Sequence, residues 1–468
     1  MVSAVPRKPR GAPTPKMTSR LSLRDFALAF ALFGICAFFA LRSPQFLSPR
    51  NLSLLLTDLA ITATLALGML LVILPGHIDL SAGSGVGLIG GVAAVLVAGG
   101  EVPVRIVTGT RALLERTLGP GASSWLPLPP WSAGASMLTA LCVALILWAL
   151  MGTLIVRERI PAFIITLGGL LIYKGLFWLV IQSHTVPITA PSAGPAGTTS
   201  VWLHLGNWHV PVWDLVRDAG GGAEVLLNAG GRWVHLLTGS GNLYALLTTS
   251  HLAPKAGYAL AALVAVALFV AKIRSVRTRR ALALPTEDNE IAFLRVFIGA
   301  QLVFLLVIVA NQDRGLPLPA LILGAVALGV WVITSHTAFG RYLYAIGGNE
   351  EAAIVSGVPV QRVTTIAFVL MGAIVAVTGF LQTAYQGHST TTVGDLMELD
   401  AVAACVIGGV SLKGGRGTVL GVMFGALIMA TLINGMSLLS AEPEKKLIAR
   451  GAVLILAVWM DVRLSRKL

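Results

Sequence analysis

The stretch FGRYLYAIGGNEEAAIVSGVPVQRV, Phe339–Val363, is polar and glycine-bearing and stands between two long apolar runs. Its charges exclude it from hydrocarbon, whereas runs of about 20 apolar residues cross a bilayer, so the stretch is a loop held at a membrane surface. Its second half predicts a short helix. Asn349 serves as N-cap, Glu350 and Glu351 sit in the first turn where the helix dipole favours acids, and Gly357 closes the C-terminus. Acids in a first turn also stabilise a surface helix that meets no partner, and that reading stays open beside the functional one.

Working outward, hydrophobic residues make up 56% of the 468 and charged residues 12%, with a mean hydropathy of +0.83. These values fit an all-α, polytopic membrane bundle and exclude a soluble globular protein. The net charge of +13 would suggest nucleic acid in a soluble chain. Here Lys and Arg gather between apolar spans, where they set orientation and meet the lipid bilayer, so nucleic acid is set aside as a partner. Cys36, Cys142 and Cys405 lie inside apolar runs and read as small core residues.

Apolar runs predict about twelve crossings. They are Phe26–Leu41, Leu52–Leu74, Ser81–Ala98, Met137–Val156, a run opening at Pro161, Gly257–Ala271, Ile291–Ala310, Leu318–Thr334, Ile366–Tyr385, a short segment in 401–412, Val419–Leu439 and Gly451–Met460. Phe38 and Phe39, with no clean small-residue cleavage site after them, make the first run a retained span and not a signal peptide. Residues 1–22, rich in Arg, Lys, Pro and Ser, read as a disordered basic cytoplasmic arm, and 23–468 as the transmembrane domain. Segments 100–134 and 183–255, rich in Pro and Trp, read as extracytoplasmic insertions, the second carrying surface-lying amphipathic helices. His204, His209 and His235 within it lack metal-ligand spacing, and no metal site is expected. With both termini cytoplasmic, Lys and Arg favour the inner side by roughly twenty to roughly twelve.

The run PGHIDLSAGSGVGLIGGV at 75–92 interrupts the hydrophobicity with Pro75, His77, Asp79, Ser81 and Ser84. It reads either as backbone broken at membrane depth beside the transport pathway, or as a tight turn in which Asp79 caps the next helix. Gly83, Gly85, Gly87, Gly90 and Gly91 predict close helix approach, as do Gly372 and Gly379 on one face of a later span. Lys174 lies well inside a span; snorkelling of its amine to the headgroups or a structural role is the leading reading, a functional role the second. Asp395, Glu398 and Asp400 precede a run barely half as long as a crossing, predicting a discontinuous helix. The glycines around Lys413 and Arg416 lack phosphate-loop order, and no catalytic constellation occurs, so the chain is expected to be neither an ATPase nor another enzyme.

Together with IDLSAGS at 78–84 and LDAVAACVIGGVSLKGGRGTVLG at 399–421, the opening loop resembles the permease of bacterial ABC sugar importers, the ribose and xylose branch. The similarity leaves out the arm, 100–134 and much of 183–255. It implies a ten-helix core to which the sixth and seventh spans are an added pair, in a homodimer in the inner membrane. It implies that 336–363 is a cytoplasmic coupling loop whose Gly347, Asn349, Glu350, Glu351, Ala352, Gly357 and Arg362 meet a separate ABC ATPase subunit. ATP would be bound by that subunit, so this chain needs no cofactor, and a periplasmic sugar-binding protein would deliver a monosaccharide, a pentose such as xylose. His77, Asp79, Ser81, Phe163 and Thr166 are the expected pathway residues; the family usually has Gly or another small residue where His77 stands. Two alternatives are a branched-chain amino acid permease of related architecture and an ion-coupled secondary transporter using Asp79, Lys174 or Asp400 as relays.

Overall fold

The computed structural model describes residues 23–98, 116, 133–188, 202–205, 208–211, 216–217, 244, 247, 251–252, 254–282 and 289–465. The basic arm 1–22, nearly all of 100–134 and much of 183–255, His235 included, lie outside the described residues. The helices are α1 (Leu23–Arg42), α2 (Pro49–Ile73), α3 (Ala82–Ala98), α4 (Ala133–Glu158), α5 (Ala162–Ile181), α6 (Pro254–Ala281) and α7 (Asn289–Asn311). After them come α8 (Leu318–His336), α9 (Ala338–Gly348), α10 (Glu350–Val355), α11 (Val360–Gln386), α12 (Met397–Ile407), α13 (Val419–Leu438) and α14 (Pro443–Ser465).

Among the described residues, eight helices are long and apolar enough to cross a membrane: α2, α4, α5, α6, α7, α8, α11 and α13. The chain is thus a polytopic helical membrane protein. The other four expected spans are α1, α3 of 17 residues, α12 of 11 residues, and α14, whose first turns carry Glu444, Lys445 and Lys446. At 1.5 Å per residue α12 covers about 16 Å, half the hydrocarbon thickness, as the short run in the sequence implied.

Helix α2 is the axis. From Ala63 to Pro75 every residue is buried, because the segment is apolar on all sides and α8, α11, α12 and α13 pack around it. Helix α3 owes its position to small residues. A Cβ on Gly85 would lie 2.2 Å from the Trp148 ring of α4, and one on Gly90 2.2 Å from Thr383 Oγ1 of α11. Gly372 and Gly379 of α11 do admit neighbours, but different ones: α4 at Gly372 and α3 at Gly379. Helices α6 and α7 pack mainly on each other and bury only 11% of their apolar windows, a peripheral position that suits side chains facing lipid.

Two features differ from the sequence expectation. Where 183–255 predicted surface helices, its described parts include short antiparallel strands, Val186–Pro187 against His388–Ser389, Trp202–Leu205 against Trp208–Pro211, and Val216–Arg217 against His251–Leu252, beside helical positions at Tyr244 and Leu247. Aromatic and β-branched residues flank Gly206-Asn207 in the sequence, a hairpin signal that outweighs the tryptophan-rich composition. The loop 336–363 also begins with a helix of its own, α9, whose N-cap Thr337 accepts from Gly340 N at 3.1 Å.

Helix α2 ends on a junction of three backbone segments. Leu74 O accepts from Gly415 N at 2.9 Å, and Gly347 at the end of α9 fits between them, where a Cβ would lie 1.9 Å from Leu74 O and 2.3 Å from Gly415 N. Tyr344 donates to Gly417 O at 2.8 Å and fastens α9 to the same turn. Gly347, expected to face a partner, is thus held inside its own chain. Gly347→Ala is expected to cost about 2 kcal/mol by overpacking, while Gly348→Ala, with nothing within 4 Å, leaves stability unchanged or slightly higher. Thermal unfolding of the two variants in detergent measures the contrast.

Candidate functional site

The helix expected in the loop is present as α10. Asn349 Oδ1 accepts from Ala352 N at 2.9 Å, Glu350 and Glu351 occupy the first turn, and Gly357 takes φ +81°, a left-handed turn beyond the helix end. Ala353 alone is buried in α10. The outward surface therefore carries Glu350, Glu351 and Ala352 together with two apolar side chains, Ile354 at 57% and Val355 at 88% exposure. Sequence reasoning passed over these two because they look like ordinary helix fillers. Their exposure on a short polar loop sets them beside Glu350 and Glu351 on one outward surface.

Beside α10 lies a cavity of about 980 Å³ lined by His77, Arg159, Phe163, Glu350, Glu351 and Arg362, among others. Two groups of residues predicted for separate roles, His77 and Phe163 for the pathway and Glu350, Glu351 and Arg362 for coupling, thus share one space. The turn after α2 supplies His77, the start of α5 supplies Phe163, and α10 with the start of α11 closes the opposite wall. The His77 ring stands 6.2 Å from that of Phe368. Burial holds the imidazole below its ordinary pKa, with Glu350 opposing the shift, so near neutral pH His77 is uncharged.

Asp79, Ser81 and Thr166 are elsewhere. All three are fully buried and line neither this cavity nor the second one at the far end of α2. Asp79 Oδ1 accepts from Ser81 N at 2.9 Å and from Ser81 Oγ at 2.6 Å, the turn-and-cap arrangement. Its other oxygen accepts from Trp148 Nε1 of α4 at 2.7 Å, and Thr166 Oγ1 donates to Ile78 O at 3.2 Å. Of the two readings of the 75–92 break, the tight turn describes Asp79 and Ser81, while the cavity wall describes His77. Asp79, Ser81 and Thr166 fasten α3, α4 and α5 to the break.

Lys174 has a structural role, one half of its leading reading. Its amine pairs with the Asp395 carboxylate and donates to Thr391 O at 2.7 Å, tying α5 to the segment before α12. Sequence could not find this pairing, since the partners are 221 positions apart. Among the described residues no group of three His, Cys, Asp or Glu side chains could hold a metal ion.

Comparison with known proteins adds a second line. Residues 51–458 match the family model described as branched-chain amino acid transport system / permease component. The chain is similar to the xylose transport system permease protein of Escherichia coli, 32% identical over 96% of this chain and 94% of that one. Its counterpart in Haemophilus influenzae is 31% identical over 96% and 98% respectively. The ribose import permease protein of Bacillus subtilis is 37% identical over 42% of this chain and 60% of its own. No solved structure matches.

Trp148→Phe removes the indole donor to Asp79 Oδ2 and is expected to destabilise by about 2 kcal/mol, the cost of leaving a buried acceptor unpaired. In an Asp79→Asn background the same change should cost less. A double-mutant cycle on thermal unfolding in detergent gives the coupling between the two side chains.

Proposed function

We propose, on the premise that this chain belongs to the branched-chain amino acid transport system / permease component family, that it is the membrane permease of an ATP-driven sugar importer. The solute is a pentose such as xylose. One observation carries this reading: likeness to xylose transport system permease proteins runs from end to end of both chains, while likeness to a ribose import permease covers less than half of this one. The family description names amino acids, but the relatives that match over the full length are named for a sugar.

Helix α10 is then the handle for a separate ATPase subunit. Its exposed face offers Glu350 and Glu351 for polar contacts and Ile354 and Val355 for an apolar socket. Because α10 forms one wall of the cavity that His77 and Phe163 form on the other side, a pull on α10 changes the width of that space. Such a pull performs transport only if the ATPase favours one shape of the permease over another. Gly347 at the backbone junction supplies the rigid end of the lever.

The loop face is cytoplasmic in this reading. Arg157, Arg159 and the basic end of α6 at Arg274, Arg277, Arg279 and Arg280 fall on that side of an alternating path, in accord with the positive-inside rule. The chain is a multi-pass protein of the inner membrane with both termini inside, and two copies enclose the pathway. A periplasmic binding protein brings the sugar to the opposite face. Nucleotide is bound and hydrolysed by the ATPase, and the permease contributes no catalytic group.

In proteoliposomes holding the permease, its ATPase and its binding protein, xylose uptake is expected to stop with vanadate and to continue with an ionophore. The reverse pattern would identify an ion-coupled carrier and overturn the reading. Val355→Asp is expected to lower uptake about tenfold or more by charging an apolar contact, with the thermal unfolding of the isolated permease unchanged.

A further inference from the structure

Helix α2 has a second cavity near its other end. It measures about 540 Å³ and is lined by Asn51, Asp58, Gln382, Tyr385, Gln386, Asp395, Asp400, Asn434 and Arg450, among others, a size within the range of small-molecule sites. Asp58 lies sixteen residues before Leu74, about 24 Å along the helix axis, so this cavity and the loop 336–363 occupy opposite ends of the bundle. Asn51 Nδ2 donates to Asn434 Oδ1 at 3.0 Å and fixes the start of α2 to the end of α13 there.

The chemistry of the lining is specific. Two of its carboxylates are neutralised within the protein, Asp395 by Lys174 and Asp400 by Arg450, the latter with Nη2 at 3.2 Å from Oδ2. Asp58 is accompanied by two neutral groups, the Tyr385 hydroxyl and the Asn434 amide. Three further polar atoms in the wall, Gln386 Oε1, Asp400 Oδ1 and Arg450 Nε, have no protein hydrogen-bond partner. Buried polar atoms are nearly always paired, and these three belong to side chains that border one open space.

We propose that this cavity is the sugar-receiving vestibule of the permease, in which Asp58, Gln382, Tyr385, Gln386, Asn434 and Arg450 hydrogen-bond a neutral polyol. The proposal rests on the sugar-importer reading and names the residues that meet the solute on the side away from the coupling loop. Every hydroxyl of a pentose donates one hydrogen bond and accepts others. The wall supplies acceptors at Asp58, Gln386 and Asp400 beside donors at Gln382, Tyr385 and Arg450. The Tyr385 ring, 39% exposed, adds an apolar surface for the C–H face of a sugar ring. An amino acid suits the site less well, because its carboxylate would compete with Asp400 for Arg450. Rotation of Gln386 or Arg450 toward the solute would give a partner to an atom that has none in the protein.

The assignment differs from the one that sequence suggested. His77 and Phe163 line the space beside α10, whereas the solute-binding groups now proposed come from α2, α11, α13 and α14. Sugar would be received at one end of α2 and leave past His77 at the other.

The test uses the complete assembly in proteoliposomes, with xylose uptake and ATP hydrolysis measured on the same preparation. Asp58→Asn and Gln386→Leu are each expected to lower uptake about tenfold, the loss of one strong hydrogen bond to the solute, with ATP hydrolysis kept within about twofold. Arg450→Lys, which keeps the charge opposite Asp400, should be milder than Arg450→Gln. Uptake unchanged in both Asp58→Asn and Gln386→Leu would overturn the vestibule while leaving the importer reading intact. Parallel loss of ATP hydrolysis would assign the residues a structural role and overturn it too. A wild-type assembly that takes up no pentose would instead remove the sugar reading itself.

Discussion

The bond from Gly415 N to Leu74 O, 2.9 Å long, closes the chain where helix α2 ends and the polar break begins. Leu74 is fully buried, and a buried carbonyl needs a hydrogen-bond partner, which Gly415 N supplies. Glycine makes this possible. Gly347 and Gly415 bring three backbone segments to distances that a Cβ would forbid, and Gly414 and Gly415 take φ of +88° and +72°. The junction joins the loop 336–363, the α2 terminus and the turn before α13.

Polar groups inside the bundle follow the same rule. Asp79 is covered by Ser81 and Trp148, Lys174 by Asp395 and Thr391, and Asp400 by Arg450. Trp148 of α4 ties down the turn at Asp79, Lys174 of α5 the segment before α12, and Arg450 of α14 helix α12. The ties leave two polar spaces, one at each end of α2. A transporter that exposes its site alternately to the two sides needs this disposition.

Particular residues show how far the sequence could be read. The charges of Glu350 and Glu351 and the cap at Asn349 placed α10 correctly, because capping is a local bond between residues three apart. The glycines of α3 announced close helix contact, since only small residues let backbones approach in lipid. Helix α9 was missed because its polar face and glycines resemble a loop, and the hairpin at 202–211 because four tryptophans suggested an interface. Lys174 was read as a snorkelling or structural base without a named partner; that partner, Asp395, lies on a segment brought near only by folding.

The sequence by itself determined the class of this protein, eight of its expected spans, the surface loop with its short capped helix and the short helix near 401–412, because hydrophobic length and capping act over one element at a time. Tertiary structure decided which side chains share a space. It put His77 in a cavity with Glu350, withdrew Asp79 to a bond with Trp148, and gathered Asp58, Gln386 and Arg450 from three separate helices around a second cavity. The physical reason is that hydrogen bonds, ion pairs and close backbone contact depend on distance in space, and in a bundle of antiparallel helices that distance is set by the packing of elements hundreds of residues apart.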